Sequence, residues 1–262
     1  MSGALRILVL AALLLAPAAG LAAEDAGTIE PDRPDVSNST RTVPRGAVQL
    51  ETGVEYSRTR AAEQQDRRLL AVSAGLRVGI TDRLEVGVDG EPIIRLRGEE
   101  DATDHGDVFL NAKYRFLDAQ GGWPSLGVQP FLKLPLAEAP LGSEKPDLGV
   151  IGLASFDLPW QLDLDVNAAL ALIGQSRPGG YLVQGRTSAS LSRELVDRLS
   201  AFAEVFFASR DEWRSRHAVG FDTGLVWKLS RWLALDVAAE TSLAGPGPDW
   251  AVRGGLSVRF GR

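Results

Sequence analysis

The sequence has no cysteine. That excludes a disulfide framework, a thiolate metal site and a lipid-anchored cysteine. Histidine is nearly missing too, with only His105 and His217. Beyond the N-terminal residues, no stretch approaches 18 consecutive apolar residues, so a bundle of membrane-spanning helices is excluded. There is no excess of positive charge either: 28 basic residues face 34 acidic ones. A nucleic-acid partner would want a basic footprint, and none is expected here. No G-x-S-x-G and no phosphate-cradling glycine loop occurs.

What is present begins with an export signal. Arg6 supplies the positive charge, residues 7–15 are an unbroken apolar run, and residues 17–23 are small and rich in breakers. The run is too short to cross a bilayer as a helix, which needs about 20 residues. Residues 1–23 therefore read as a removed signal peptide. Their loss takes away one cation and leaves 27 basic and 34 acidic residues, a net charge of −7.

From residue 46 onward the hydrophobic period is 2. Residues 46–57 place Val48, Leu50, Thr52, Val54 and Tyr56 on one face, with Gln49, Glu51, Gly53 and Glu55 on the other. The pattern recurs, giving twelve expected strands with one apolar face each. Leu162, Leu164, Val166, Ala168 and Leu170, for instance, oppose Asp163, Asp165 and Asn167. The third strand is read from Leu84, Val86 and Val88, opposite Arg83, Glu85 and Asp89. Connections alternate in length. Short turns are expected near residues 81–82, 118–123, 159–160, 196–198 and 230–231. Longer polar loops are expected at 58–66, 97–104, 137–146, 173–180, 209–216 and 244–248. Outer-membrane barrels carry short periplasmic turns and long extracellular loops, which puts both barrel ends on the periplasmic side.

Only a helix or a closed barrel can cross hydrocarbon, which offers no hydrogen bonds. The apolar faces of these strands carry no charged residue, as lipid contact demands. Aromatic residues fall in two bands. Phe116, Trp123, Trp160, Trp227 and Trp232 lie beside the short turns, while Tyr56, Tyr181 and Trp250 lie at the long-loop ends. Such bands suit amphipathic rings at two membrane interfaces. A soluble β-sandwich or lipocalin-like barrel would instead bury its apolar face. The fold class read from the sequence is all-β, a single transmembrane antiparallel barrel of about twelve strands. It uses residues 46–262 and sits in the outer membrane of a Gram-negative bacterium, where lipid and lipopolysaccharide are its surroundings.

Several segments, in order, carry a family resemblance. They are Pro31-Asp32-Arg33-Pro34-Asp35, Val43-Pro44-Arg45-Gly46, Gln49-Leu50-Glu51, Gly79-Ile80-Thr81-Asp82-Arg83-Leu84-Glu85, Gly106-Asp107 through Lys113-Tyr114-Arg115-Phe116, Ala201-Phe202-Ala203-Glu204 and Pro248-Asp249-Trp250 leading to Arg259-Phe260. Together they resemble the outer-membrane transporters named for the MetA pathway of phenol degradation. The resemblance implies an outer-membrane barrel that passes small molecules, aromatic or hydrophobic ones among the candidates. One departure stands out: barrel chains often end on an aromatic residue that the barrel-assembly machinery reads, whereas here Phe260 is followed by Gly261-Arg262.

The polar faces define the candidate pore-lining residues: Glu51, Glu55, Glu85, Asp89, Lys113, Arg115, Lys133, Asp163, Asp165, Arg186, Glu204, Asp222, Lys228, Asp236, Glu240, Arg253 and Arg259. Two roles are open to them. They could tune which solutes pass, or they could pair across strands and keep a narrow barrel closed. Residues 24–45, with Pro31, Pro34 and Pro44, form a pre-barrel segment that is either a lumen plug or a periplasmic tail. A surface hydrolase would need a base, and His105 beside Asp101, Asp104 and Asp107 is the nearest thing to one. That spacing matches no metal-ligand motif. No catalytic residue, metal or cofactor is expected. The reading is a passive channel for small solutes, with a closed structural or binding barrel as the alternative and a surface hydrolase as a more distant one.

Overall fold

A computed structural model describes residues 27–60, 66–98, 101–176 and 179–261. The expected signal peptide, residues 1–23, lies outside the described residues. The strands are β1 (Val48–Thr59), β2 (Arg67–Thr81), β3 (Leu84–Arg97), β4 (Ala102–Asp104), β5 (Val108–Leu117), β6 (Ser125–Leu134), β7 (Asp147–Leu158), β8 (Leu162–Gly174), β9 (Tyr181–Val196), β10 (Leu199–Ala208), β11 (Ala218–Ser230), β12 (Leu233–Ala244) and β13 (Trp250–Phe260). Twelve of them form one closed antiparallel ring in chain order, and the short β4 hangs on β3 outside it. The ring closes where β1 pairs with β13, from Val48–Phe260 to Arg58–Trp250.

Closure satisfies the backbone, and the side chains show which solvent lies outside. The largest fully buried side chains include Lys113, Gln49, Glu85, Glu204 and Asp222. The exposed set is apolar: Val54, Leu170, Val183, Val237 and Val252 stand at 48–64% exposure. This inverts a soluble protein, in which apolar groups fill the interior. Strands of 10 to 16 residues exceed the roughly 9–11 needed to cross a bilayer at a tilt. Among the described residues, no helix is long and apolar enough to span.

The turns alternate as expected. Short connections join β2–β3, β5–β6, β7–β8, β9–β10 and β11–β12; the one between β7 and β8 is a 3-10 turn, Pro159–Gln161. Trp123 and Trp160 stand almost fully exposed beside these turns, while Tyr56 and Trp250 touch at the other end, ring centroids 5.5 Å apart. Trp232 stays beside its short turn but has the inward parity of Ala234 and Asp236. It is only partly exposed, with Arg231 stacked at 4.5 Å and Arg259 at 5.5 Å.

β3 is longer than its alternation suggests. A register shift opposite Val72–Ala74 exchanges its two faces. Beyond it Ile94 and Leu96 are buried inside while Ile93 and Arg95 are exposed outside. A bulge does this because one extra residue in a period-2 strand reverses every later side chain. β4 then extends this wall by pairing with Ile94–Leu96, inside a stretch expected to be loop.

Replacing Val237, mid-strand on the outward face of β12, by Arg should destabilise the barrel in lipid by about 2–4 kcal/mol. Urea unfolding in phospholipid vesicles would read this as a lowered midpoint.

Candidate functional site

Residues 27–46 lie inside the ring rather than beneath it. Near the short-turn end, the Ile29 amide donates to the Arg231 carbonyl at 3.1 Å. The chain rises to mid-barrel at Arg33 and crosses to the far wall, where the Ser37 and Ser188 hydroxyls meet at 2.7 Å. It then descends to Thr42, whose hydroxyl donates to the Asp82 carbonyl at 2.9 Å, and joins β1 through Gly46.

A buried extended segment leaves backbone N–H groups to satisfy, and the wall side chains accept them. Val36 N–H donates to Glu204 at 2.7 Å, Asn38 N–H to Asn167 at 2.8 Å, Thr40 N–H to Ser155 at 2.9 Å and Val43 N–H to Glu85 at 2.6 Å. Hydrogen bonds to charged acceptors such as Glu204 and Glu85 are worth about 1.5–3 kcal/mol each.

Charge pairs add to this. Asp32 lies against Lys113 at 2.7 Å and Arg77 at 3.3 Å. Arg77 in turn contacts Glu51 at 2.8 Å and Glu85 at 2.9 Å, and Lys113 is 3.6 Å from Glu85. Arg33 reaches Asp236 at 3.3 Å and the Ser73 hydroxyl at 2.9 Å. Its guanidinium lies over Gly53 and Gly255, partners on adjacent strands. A Cβ at either position would collide with it, so this pair of glycines makes the room. Lys228 binds Glu30 at 2.7 Å, and Arg259 donates to the Gly27 carbonyl. Arg41 sits 3.8 Å from Asp163, and Asp165 accepts from Ser155. Arg115 pairs with Asp118 at 2.9 Å and donates to Thr40 O at 3.5 Å.

Other candidates lie above or beside the segment. Arg253 bonds Asp222 at 3.1 Å, contacts Glu240, and donates to Pro34 O at 3.1 Å. Lys133 lies at the long-loop end between Asp147 at 2.8 Å and Asp107 at 3.3 Å, tying down residues 135–146 instead of meeting the segment. Asp89 is exposed within the ring and accepts from Asn111 at 2.7 Å. Glu55 faces inward on β1. Arg186 is exposed on β9, five strands round the ring from both β1 and β3; its guanidinium has Glu204 as its charged neighbour but makes no hydrogen bond or close ion pair among the described residues. The ring thus faces carboxylates on β1–β3 with the exposed Arg186 guanidinium across from them.

Charge alternation did not reveal the apolar part of this lining. Phe131, Phe202 and Phe206 have inward parity, and each stands directly opposite a glycine: Gly149, Gly224 and Gly220. A Cβ on those glycines would strike the rings. The phenyls therefore lie flat along the wall and do not project across the lumen, an aromatic-over-glycine pairing known to stabilise strands. Phe109 joins Phe131 at 6.3 Å, and buried Leu153, Ala171 and Leu182 continue the same side. Arg77 was also missed, though its parity opposite Leu76 and Val78 places it inward.

The two histidines lie apart. His105 Nδ1 is 3.1 Å from the Gly106 carbonyl and its Nε2 is 3.7 Å from Asp104, whereas His217 packs on Phe207 at 5.7 Å. Among the described residues, no group of three or more metal-ligating side chains forms.

A closed twelve-stranded ring, apolar outside and charged within, is the fold of an outer-membrane β-barrel. The chain belongs to the family described as "Putative MetA-pathway of phenol degradation", which matches residues 31–260. Among solved structures it is similar to an outer membrane channel from Pseudomonas putida F1, with TM-score 0.64 and 15% identity over 84% of this chain and 98% of that one. The NanC porin is similar at TM-score 0.56 and 9% identity, over 81% and 100% of the two chains. The β domain of the Bordetella autotransporter BrkA follows at TM-score 0.58 and 15% identity, over 82% and 100%. At these identities the likeness establishes the fold. Comparison with curated proteins gives no match.

Arg33→Ala, and separately Gly53→Val, should loosen the lodged segment. Hydrogen exchange of the Val36, Asn38, Thr40 and Val43 amides is expected to quicken by about ten- to hundred-fold on losing a charge-assisted hydrogen bond, while mid-strand amides keep their protection.

Proposed function

We propose that this protein is an outer-membrane channel for passive passage of small amphipathic molecules, aromatic ones included, and that residues 27–46 restrict the pore. The observation that carries the reading is the mixed lining above that segment. Flat phenyl rings on β6 and β10 alternate round the ring with exposed Asp89, which is paired across strands with Phe109, with inward Glu55 and with Arg186 on the strand beside Phe206. Such a lining offers a solute apolar surface and polar partners side by side, the arrangement found in small-molecule sites. Binding at such a wall is spread over many weak contacts, which lets a solute leave as readily as it enters. Glu51, Glu85, Lys113, Asp163, Asp165, Glu204, Lys228, Asp236 and Arg259 act here mainly by holding the segment. Asp89, Glu55 and Arg186 meet the solute. Membership in a family named for phenol degradation is consistent with an aromatic cargo, and the similar channel and porin structures support a pore. The proposed location is the outer membrane, reached by export and the barrel-assembly machinery.

A second reading, a permanently closed barrel, draws support from the density of bonds between segment and wall. Planar-bilayer recordings separate the two. The folded full chain is expected to give small ohmic steps, and removing residues 27–44 to enlarge them several-fold. In liposome efflux, a phenol-sized aromatic should outpace a polar solute of equal mass, and Phe131→Ser with Phe206→Ser should narrow the difference. A segment-deleted barrel that folds yet stays silent would overturn the channel.

A further inference from the structure

The outward face of the barrel is charge-free almost everywhere, but not at the long-loop end of β1–β3. The register brings Arg58, Arg68 and Arg97 into one row across three neighbouring strands. Arg95 lies one outward position lower on β3, in the row of Leu70 and Tyr56. Adjacent strands are about 4.8 Å apart and alternate residues along a strand about 6.8 Å apart. Four guanidinium groups therefore share a patch about one lipid headgroup wide.

Two of them are neutralised locally. Arg58 pairs with Asp66, and Arg97 lies 3.6 Å from Asp101. Arg68 and Arg95 are exposed, and their side chains form no hydrogen bond or close ion pair among the described residues, with Asp66, already held by Arg58, the charged neighbour of Arg68. Asp66 and Asp101 offset two charges of the row, but Arg68 and Arg95, diagonal neighbours on β2 and β3, keep like charges close together, which a further anion would relieve. Round the rest of the ring, outward strand positions toward the long loops include Leu134, Leu148, Leu172, Val183, Phe207 and Val219. The strand-borne cations fall in one sector, whereas exposed Arg210, Arg214 and Arg216 lie in the loop between β10 and β11.

Their setting is amphipathic. Immediately below them, outward-facing Leu70, Ile93 and Val54 are exposed, and Tyr56 stacks with Trp250 as part of the interfacial aromatic band. Long loops mark the extracellular side, so the arginines sit at the headgroup level of the outer leaflet, above apolar side chains at acyl-chain level. We infer that Arg58, Arg68, Arg95 and Arg97 form a docking site for the phosphorylated glycolipid of the outer leaflet, with guanidinium groups on the lipid A phosphates and Leu70, Ile93 and Tyr56 against its acyl chains. Arginine forks bind phosphate oxygens in pairs, which a lysine ammonium does not do. The site is independent of whether the lumen conducts.

Native mass spectrometry of the detergent-solubilised full chain tests this, with bis-phosphorylated lipid A, its dephosphorylated form and inorganic phosphate as probes. Wild type is expected to bind one bis-phosphorylated lipid. Each basic residue near an anionic headgroup contributes roughly a five-fold gain in affinity, so R68Q/R95Q/R97Q should weaken binding on the order of 100-fold, and R68K/R95K/R97K much less. Dephosphorylated lipid should bind wild type as weakly as the Gln variant binds lipid A. The inference falls if wild type holds the dephosphorylated lipid equally well, or if the folded Gln variant keeps full affinity. Displacement of lipid A by an equal concentration of inorganic phosphate would also overturn it, since it would mark a free-anion site. The phosphate dependence is read on wild type, so it decides the matter even if the Gln variant does not fold.

Discussion

Hydrocarbon accepts no hydrogen bonds, and every other feature of this molecule depends on that constraint. A strand edge left open at membrane depth would expose a column of unpaired N–H and C=O groups, each costing several kcal/mol. The pairing of β1 with β13 removes that edge. Once the ring is closed, period-2 geometry forces half of each strand outward, and the absence of charge from those positions at hydrocarbon depth follows. The other half faces a space that lipid cannot enter. Polar groups there are tolerated only if water or protein meets them.

In the short-turn half of the barrel, protein meets them. The segment from Ile29 to Pro44 brings amides to carboxylates and Asp32 to two buried cations. Twelve strands enclose more room than their own side chains fill, and small wall residues widen it locally. Gly53 and Gly255 yield to Arg33, and Gly79 lies against the Pro44 carbonyl. In the long-loop half, glycine serves differently, giving Phe131 and Phe206 a flat bed, as Gly224 does for Phe202 nearer the short turns. A strand glycine is normally a weakness. Here it sets how much of the lumen each neighbour occupies.

The barrel was legible in the sequence because two signals agreed: charge on one parity, and turns alternating in length. Glu51, Glu85, Glu204 and Asp222 follow directly from parity. Three things did not. The bulge in β3 reverses parity after residue 90, and Ile94 and Leu96 look lipid-facing to anyone extending the earlier rhythm. Inward phenylalanines escape a reading that finds the lumen by its charges; comparing Phe202 with Glu204, which share parity, would have found them. Residues 27–45 have no periodicity, and their partners lie up to 232 positions away. Composition offered only prolines, which fit a plug and a tail equally. The hint was indirect: a run of inward Gly, Ala and Ser signals space kept for something that is not a side chain of the wall.

The lodged segment enters and leaves by the same end and remains joined to β1 through Gly46. It behaves as a tethered ligand whose local concentration, in the millimolar range for short linkers, does not fall when the protein is dilute. Any vacated state would therefore be refilled at a rate fixed by chain length, with a dwell time governed by how fast Arg33, Asp32 and Val36 release their partners. Occupancy of the lumen is thus a property written into each single polypeptide, indifferent to how many copies the membrane holds.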